Sequence, residues 1–136
     1  MLVAIVEHKI DVKAVRAHVS SSEFGAILLF EGVARDNFEG KPVGRLEYEA
    51  YAPMAEAVMR EIGEECLERW PGLSLGIVHR TGTVEIGEPS LVIAVGSPHR
   101  PECYEANRYI LEEIKVRLPV WKKEVYEDGA SWKANS

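Results

Sequence analysis

The sequence predicts an α+β fold, a mixed or antiparallel sheet with about three helices. Three observations carry this. Apolar residues recur at helical spacing in three stretches, each opened by a residue that suits a helix start: Asp11, Pro53 and Pro101. Short runs with the continuous or alternating apolar pattern of strands lie around them. The order is strand, helix, strand pair, helix, strands, helix, strand, which is that of a mixed α+β domain.

Leu2 to Glu7 reads as a short strand, followed by a helix with Asp11 as N-cap and Val12, Val15 and Val19 on one stripe, ended by Ser20-Ser21-Ser22. Gly25 to Val33 is a nearly continuous apolar run, so it is expected to be a central strand buried on both faces. Arg35 to Lys41 is polar and carries a glycine, the pattern of a loop, and Val43 to Tyr51 returns as a strand. Pro53 opens the second helix, with Met54, Val58, Ile62 and Cys66 as its apolar stripe and Trp70-Pro71-Gly72 as its end. Leu73 to Arg80 and Leu91 to Gly96 are strands separated by turns at Thr81-Gly82-Thr83 and Gly87-Glu88-Pro89. Pro101 opens the last helix, whose buried stripe is Cys103, Ala106, Ile110, Ile114 and Leu118, and Pro119 ends it. Val120 to Tyr126 is a final strand before a tight-turn signal at Asp128-Gly129.

With 136 residues, no linker and no internal repeat, the expectation is one domain spanning 1–136. The 22 acids against 16 bases leave a net charge of -6, which argues against binding a nucleic-acid backbone, where clustered positive charge is needed. No segment approaches the ~20 apolar residues that span a bilayer. The apolar start, Met1 to Val6, runs straight into Glu7-His8-Lys9 and reads as a strand and not as a signal peptide, so a cytoplasmic location is expected. Cys66 and Cys103 form no CxxC pair and are expected to be reduced and packed. No GxGxxG or P-loop occurs.

Within this acidic chain the local cations carry the chemical interest. Ser97-Pro98-His99-Arg100 follows an apolar strand and opens a helix, where backbone amides, a histidine and an arginine together suit phosphate or carboxylate. The competing reading is that His99 caps the helix and Arg100 pairs with Glu102 or Glu105. Lys115 lies in the last turn of the final helix and Lys122 in the strand after Pro119, so the two ammonium groups can meet at one pocket as acid, base or nucleophile. Against that, a lysine at a helix C-terminus is favoured by the dipole alone. Arg35 ends the strongest apolar strand and can clamp an oxyanion or mark the water boundary. His99 and Cys103 are four apart, but no second ligand pair accompanies them, so no metal is expected. Trp70, Trp121 and Trp132 read as core or interface anchors, and the acids of Glu47-Tyr48-Glu49 as solvated or paired.

Taken together and in order, these stretches resemble one family, the large subunits of molybdopterin synthase. The matching pieces are Phe30 to Arg35 (FEGVAR), Leu46 to Tyr51 (LEYEAY) with Met54-Ala55, His79-Arg80-x-Gly82, Gly87-Glu88, Ser97-x-His99-Arg100, Pro119-x-Trp121-Lys122-Lys123-Glu124 and Asp128-Gly129-x-x-Trp132. The resemblance implies an α/β hammerhead type of α+β domain with an added antiparallel piece. It implies sulfur transfer from the C-terminal thiocarboxylate of a small ubiquitin-like carrier subunit to cyclic pyranopterin monophosphate. The assembly implied is a heterotetramer built on a homodimer of the large subunit, with no cofactor and no metal. By the same resemblance Lys115 and Lys122 are the catalytic pair, and Arg35, His99 and Arg100 form the anion pocket. Lys123 adjoins that pocket, the backbone at Val33-Ala34 lines it, and Glu124 counts among the substrate-binding residues. Where many members carry a basic or polar residue beside the loop arginine, this chain has Ala34. Two other readings stand beside this one: a non-catalytic module that grips a ubiquitin-like tail or a small phosphate ligand, and an enzyme that uses Cys103.

Overall fold

A computed structural model describes residues 1–126 and, as backbone, 129–134. The Asp128 of the expected tight turn and the Trp132 side chain lie outside the described residues.

Two sheets form the frame. In the first, β1 (Leu2–Val6) pairs in parallel with β5 (Ser74–Arg80), β5 pairs antiparallel with β7 (Pro89–Ser97), and β7 pairs antiparallel with β2 (Ala26–Val33). In the second, β4 (Lys41–Ala50) pairs antiparallel with β3 (Asn37–Phe38), with β6 (Gly82–Glu85) and with β8 (Val120–Tyr126), and β8 pairs with β9 (Gly129–Ala134). The helices are α1 (Val12–His18), α2 (Ala52–Arg69) and α3 (Arg100–Arg117). The mixed and antiparallel pairing and the three helices agree with the fold class expected from the sequence.

Side-chain alternation on β5 and β7 sorts their residues between two cores. Leu75, Ile77, Ile93 and Val95 pack with Met59, Ile62 and Cys66 of α2 and Ala106, Ile110 and Ile114 of α3. Val78, Val92 and Ala94 pack on the opposite side with Ile10 and with Val15 and Val19 of and beside α1. Helices on both faces are why β7 is buried at all nine positions. Burial of each such aliphatic side chain contributes roughly 1.5–3 kcal/mol. The approach of α1 requires Gly96: a Cβ there would collide with the Val19 carbonyl and stand 2.8 Å from the Phe24 ring.

The expected central strand is instead an edge. Only β7 flanks β2, and its side chains are mostly half-buried although both faces are apolar. An apolar run reports that both faces are covered and says nothing about neighbours in the hydrogen-bonding direction; the doubly buried interior strand is β7.

On α2 the buried set is Ala55, Met59, Ile62, Gly63 and Cys66, while Met54 is exposed and Val58 half-buried. Uniform four-residue steps overshoot a 3.6-residue turn and drift around the helix, whereas mixed steps of three and four stay on one face. The α3 stripe is as expected, with Asn107 added: its amide donates to the carbonyls of Leu28 and Ile93 at 3.2 Å each, tying the helix to both strands. Asp11 caps α1, its Oδ1 accepting from the Ala14 amide at 3.1 Å.

The expected loop at residues 35–41 holds a hairpin, because Glu39 (φ 50°) and Gly40 (φ 81°) form a two-residue connection with both φ positive. The Thr81-Gly82-Thr83 stretch is likewise no simple turn, since β6 begins at Gly82 and pairs with β4. Arg117 fastens α3 to α2, donating to Glu65 at 2.7 and 3.0 Å and to Glu113 at 3.0 Å, while the Tyr109 hydroxyl donates to Glu65 at 2.6 Å. No helix among the described residues is long and apolar enough to cross a membrane.

Candidate active site

The site forms where the two sheets and the end of α3 meet. Lys115 lies in the last turn of α3, as the sequence places it, and leaves the helix exposed. Leu118 and Pro119 then turn the chain into β8, whose register sets Lys122 directly opposite Tyr48 of β4. Directly opposed residues project to the same face of a sheet, so Lys122 and Tyr48 share a wall. The result is a cavity of about 200 Å³ that holds both lysines together with Gly32, Val33, Tyr48, His79 and Ser90 over an apolar floor that includes Phe30 and Ile114.

A second cavity, about 310 Å³, contains Arg35, Asn37, Leu46 and Glu124. Val33, Tyr48 and Lys122 line both, so the two adjoin along these three residues. The first compartment therefore offers both ammonium groups, and the second the Arg35 guanidinium with the shared Lys122, beside the Glu124 carboxyl. Lysine and arginine are hydrogen-bond donors without acceptor capacity, and the arrangement suits two neighbouring anionic groups.

The remaining expected residues are distributed differently. Val33 is half exposed and lines both cavities, but Ala34 is buried, with its amide donating to the Glu88 carbonyl at 3.0 Å and its own carbonyl accepting from Gly87 at 2.8 Å. The Val33-Ala34 backbone is thus a wall only at Val33. Lys123 follows Lys122 on β8 and so projects to the opposite face, paired across the ladder with Glu47. Glu124 is buried at the second cavity, and the Tyr126 hydroxyl lies 3.4 Å from its Oε2.

His99 and Arg100 stand elsewhere. His99 is the N-cap of α3 and Arg100 its first residue, whereas Lys115 is 15 residues further along the same helix. At 1.5 Å per residue that is ~22 Å. The anion pocket expected from Arg35, His99 and Arg100 together does not assemble within one chain: Arg35 follows Val33 at one end of β2, whereas Ser97, just before His99, pairs with Ala26 at the other end, and neither His99 nor Arg100 lines the Arg35 cavity. His99 makes no side-chain cap; the Ser97 hydroxyl holds this corner by donating to the His99 carbonyl at 2.6 Å and accepting from the His99 amide at 3.2 Å. Glu105 takes the Trp70 indole proton at 3.0 Å.

Residue type and spacing do not single out Tyr48, His79 and Ser90 as site residues, although His79 opens the His79-Arg80-x-Gly82 piece. The Ser90 hydroxyl bonds with the Tyr48 phenol and reaches the Gly32 carbonyl at 3.3 Å. Burial pushes the Tyr48 phenol above its ordinary value and pushes His79 down to about 4. The tyrosine is therefore a neutral phenol, and the histidine a neutral imidazole, at neutral pH. Their rings meet edge to face at 5.2 Å.

Both cysteines are free thiols and buried, and neither belongs to a cavity described above. Burial raises Cys66 to about 12 and raises Cys103 as well. Cys103 Sγ lies within 3.5 Å of the Ala26 and Val95 carbonyls. A thiol held protonated is a poor nucleophile, which removes the support for a Cys103 enzyme. Trp70 is a packed anchor against Tyr109, but Trp121 is half exposed.

The fold and the paired cavities define an α+β protein with a lysine-lined cavity. The family description "MoaE protein" matches residues 5–117, and the chain belongs to that family. It is 48% identical over 128 residues to a molybdopterin synthase catalytic subunit of Bacillus subtilis, covering 94% of this chain and 82% of that one. It is 46% identical over 127 residues to the human molybdopterin synthase catalytic subunit, covering 93% of this chain and 68% of the human one. The crystal structure of molybdopterin synthase from Staphylococcus aureus superposes with a TM-score of 0.93 at 42% identity, covering 97% of this chain and 96% of that one. The chain is accordingly an enzyme of molybdopterin synthesis acting at its sulfur-transfer step, within molybdenum cofactor biosynthesis.

Proposed function

We propose that the two adjoining cavities are the sulfur-transfer site, with Lys115 and Lys122 as the catalytic pair. The carrier is a small ubiquitin-like subunit ending in a thiocarboxylate, and the acceptor is cyclic pyranopterin monophosphate. The observation that carries this reading is the meeting of Lys115 and Lys122 in one cavity that opens, along Val33, Tyr48 and Lys122, onto the Arg35 compartment. The thiocarboxylate lies by Lys115, and the pterin phosphate lies by Arg35. Side-by-side placement replaces a bimolecular encounter by an oriented one. Lys115 serves the transferring centre as proton donor, proton acceptor or transient acyl acceptor, and Lys122, at the junction, stabilises the negative charge that develops. Glu124 orients the Arg35 side of the pocket, and Lys123 contributes positive potential from the neighbouring face.

His99 and Arg100 act, in this reading, on the cavity of a second copy in a homodimer. Groups ~22 Å apart on one helix cannot hold one small anion. The chain works as one domain over 1–136 in the cytoplasm, in a heterotetramer with its carrier.

Reconstitution tests the reading. The protein is mixed with thiocarboxylated carrier and cyclic pyranopterin monophosphate, and molybdopterin is followed through its fluorescent oxidation product. Product that disappears with Lys115→Ala supports it. Tight carrier binding without any turnover points instead to a binding module, and a Lys115→Ala variant at the wild-type rate removes the lysine from the mechanism.

A further inference from the structure

Two buried titratable groups, Tyr48 and His79, line the Lys115–Lys122 cavity without a task in sulfur transfer as described, and of the two only the imidazole is a base. His79 sits near the end of β5, 3% exposed, and lines the cavity. Its Nδ1 lies 2.8 Å from the Arg80 carbonyl. A carbonyl oxygen only accepts, so Nδ1 carries the proton and Nε2 of the neutral ring is left as an acceptor. The edge-to-face contact with Tyr48, at an interplanar angle of 72°, fixes the ring plane. A backbone bond on one nitrogen and a ring contact on the flank orient this imidazole, as an adjacent group orients the base in nucleophilic sites.

The other polar side chains of the cavity have different capacities. Lys115 and Lys122 in their ammonium form are donors only, the Ser90 hydroxyl is turned to the Gly32 carbonyl, and the Tyr48 phenol is bonded with Ser90. The chemistry nevertheless needs a proton acceptor. A carrier that delivers its thiocarboxylate sulfur leaves as a carboxylate, so an oxygen must replace the sulfur on its acyl carbon, and water supplies it. In that step the water oxygen bonds to the acyl carbon and the water loses a proton. The carbon–sulfur bond then breaks, its electron pair staying on the sulfur now attached to the pterin. The carboxylic acid formed ionises into solvent.

We propose that His79 is a further catalytic residue, its Nε2 taking the proton from the water that replaces sulfur on the carrier's acyl carbon. This rests on the sulfur-transfer reading given above. Burial keeps the imidazole in its acceptor form, and anions brought into the cavity favour the imidazolium that forms as the proton moves.

The test is a single turnover of the whole protein with thiocarboxylated carrier and cyclic pyranopterin monophosphate, read by intact mass and by fluorescent product. His79→Gln should form the first carbon–sulfur bond but release product ~100-fold more slowly, within the range for loss of a general base. Carrier covalently joined to the pterin through sulfur should accumulate. His79→Ala should behave alike and regain adduct breakdown when free imidazole is added, which loss of packing would not permit. Wild-type release by His79→Gln, or a folded His79→Ala that added imidazole does not restore, overturns the proposal. So does loss of the folded state in both variants, which would assign His79 to packing. No product from the wild-type protein would instead overturn the sulfur-transfer reading itself.

Discussion

Lys115 and His79 line the same cavity but bear differently on the fold. Lys115 is exposed and leaves a helix end, so its removal should spare the fold. Lys115→Ala is expected to melt within a few degrees of wild type while sulfur transfer falls by at least ~100-fold, the scale of a lost acid–base group. His79 contributes to stability through protons as well. Its pKa is lowered to about 4 from an ordinary 6.5, so between those values the unfolded chain binds a proton that the folded chain refuses. Stability from this source is complete above about pH 6.5 and is lost as pH falls toward 4, amounting to about 3 kcal/mol. Urea unfolding at pH 7 and pH 5 should show the loss, and His79→Gln should flatten it. Glu39 illustrates a local cost: at φ 50° it occupies a backbone region that L residues avoid. Glu39→Gly should raise stability by about 0.5–1 kcal/mol, measurable by urea unfolding, and an unchanged midpoint would mean the turn relaxes without strain.

At the scale of elements, α2 and α3 are joined by the Arg117 cluster as well as by their apolar stripes. Arg117 and Tyr109 hold the Glu65 carboxyl down to about 2. That contribution is present above the ordinary carboxylate range and is lost as pH falls through it toward 2, so Glu65→Gln should remove part of the acid-limb slope in unfolding experiments. The strand β7 tolerates change least. Gly96→Ala would drive a methyl into the Val19 carbonyl and the Phe24 ring, with an expected cost of about 1–3 kcal/mol and a lower melting temperature.

The elements were legible in the sequence wherever one periodicity governed a whole segment. Asp11, Pro53, Pro101 and Pro119 punctuate the helices where the structure starts and ends them. The β3 hairpin and β6 were not legible, because two and four residues carry too little periodicity and are strands only through pairing with β4. Uniform four-residue steps capture Ile62 and Cys66 of the α2 stripe but not Ala55 and Met59, which only the packing of α2 reveals.

For the whole molecule, the decisive separation is that between the two ends of α3. If His99 and Arg100 serve the second copy's cavity, a mixture of Lys115→Ala and Arg100→Ala proteins should recover activity that neither shows alone. Mixed dimers then carry one site with both groups intact. Equal inactivity of the mixture and of the separate variants, with dimers shown to exchange, would confine each site to its own chain.

The sequence by itself determined the fold class, the three helices, and the chemical identity of the cations in an acidic chain. Those follow from local propensity and from residue type. Only the tertiary structure decided that Lys115 and Lys122 share a cavity, since that depends on the register of β8 against β4. It alone brought Tyr48, His79 and Ser90, from three different strands, to the same cavity. It also set His99 and Arg100 a helix length away, because a rigid helix turns a separation of fifteen residues into distance.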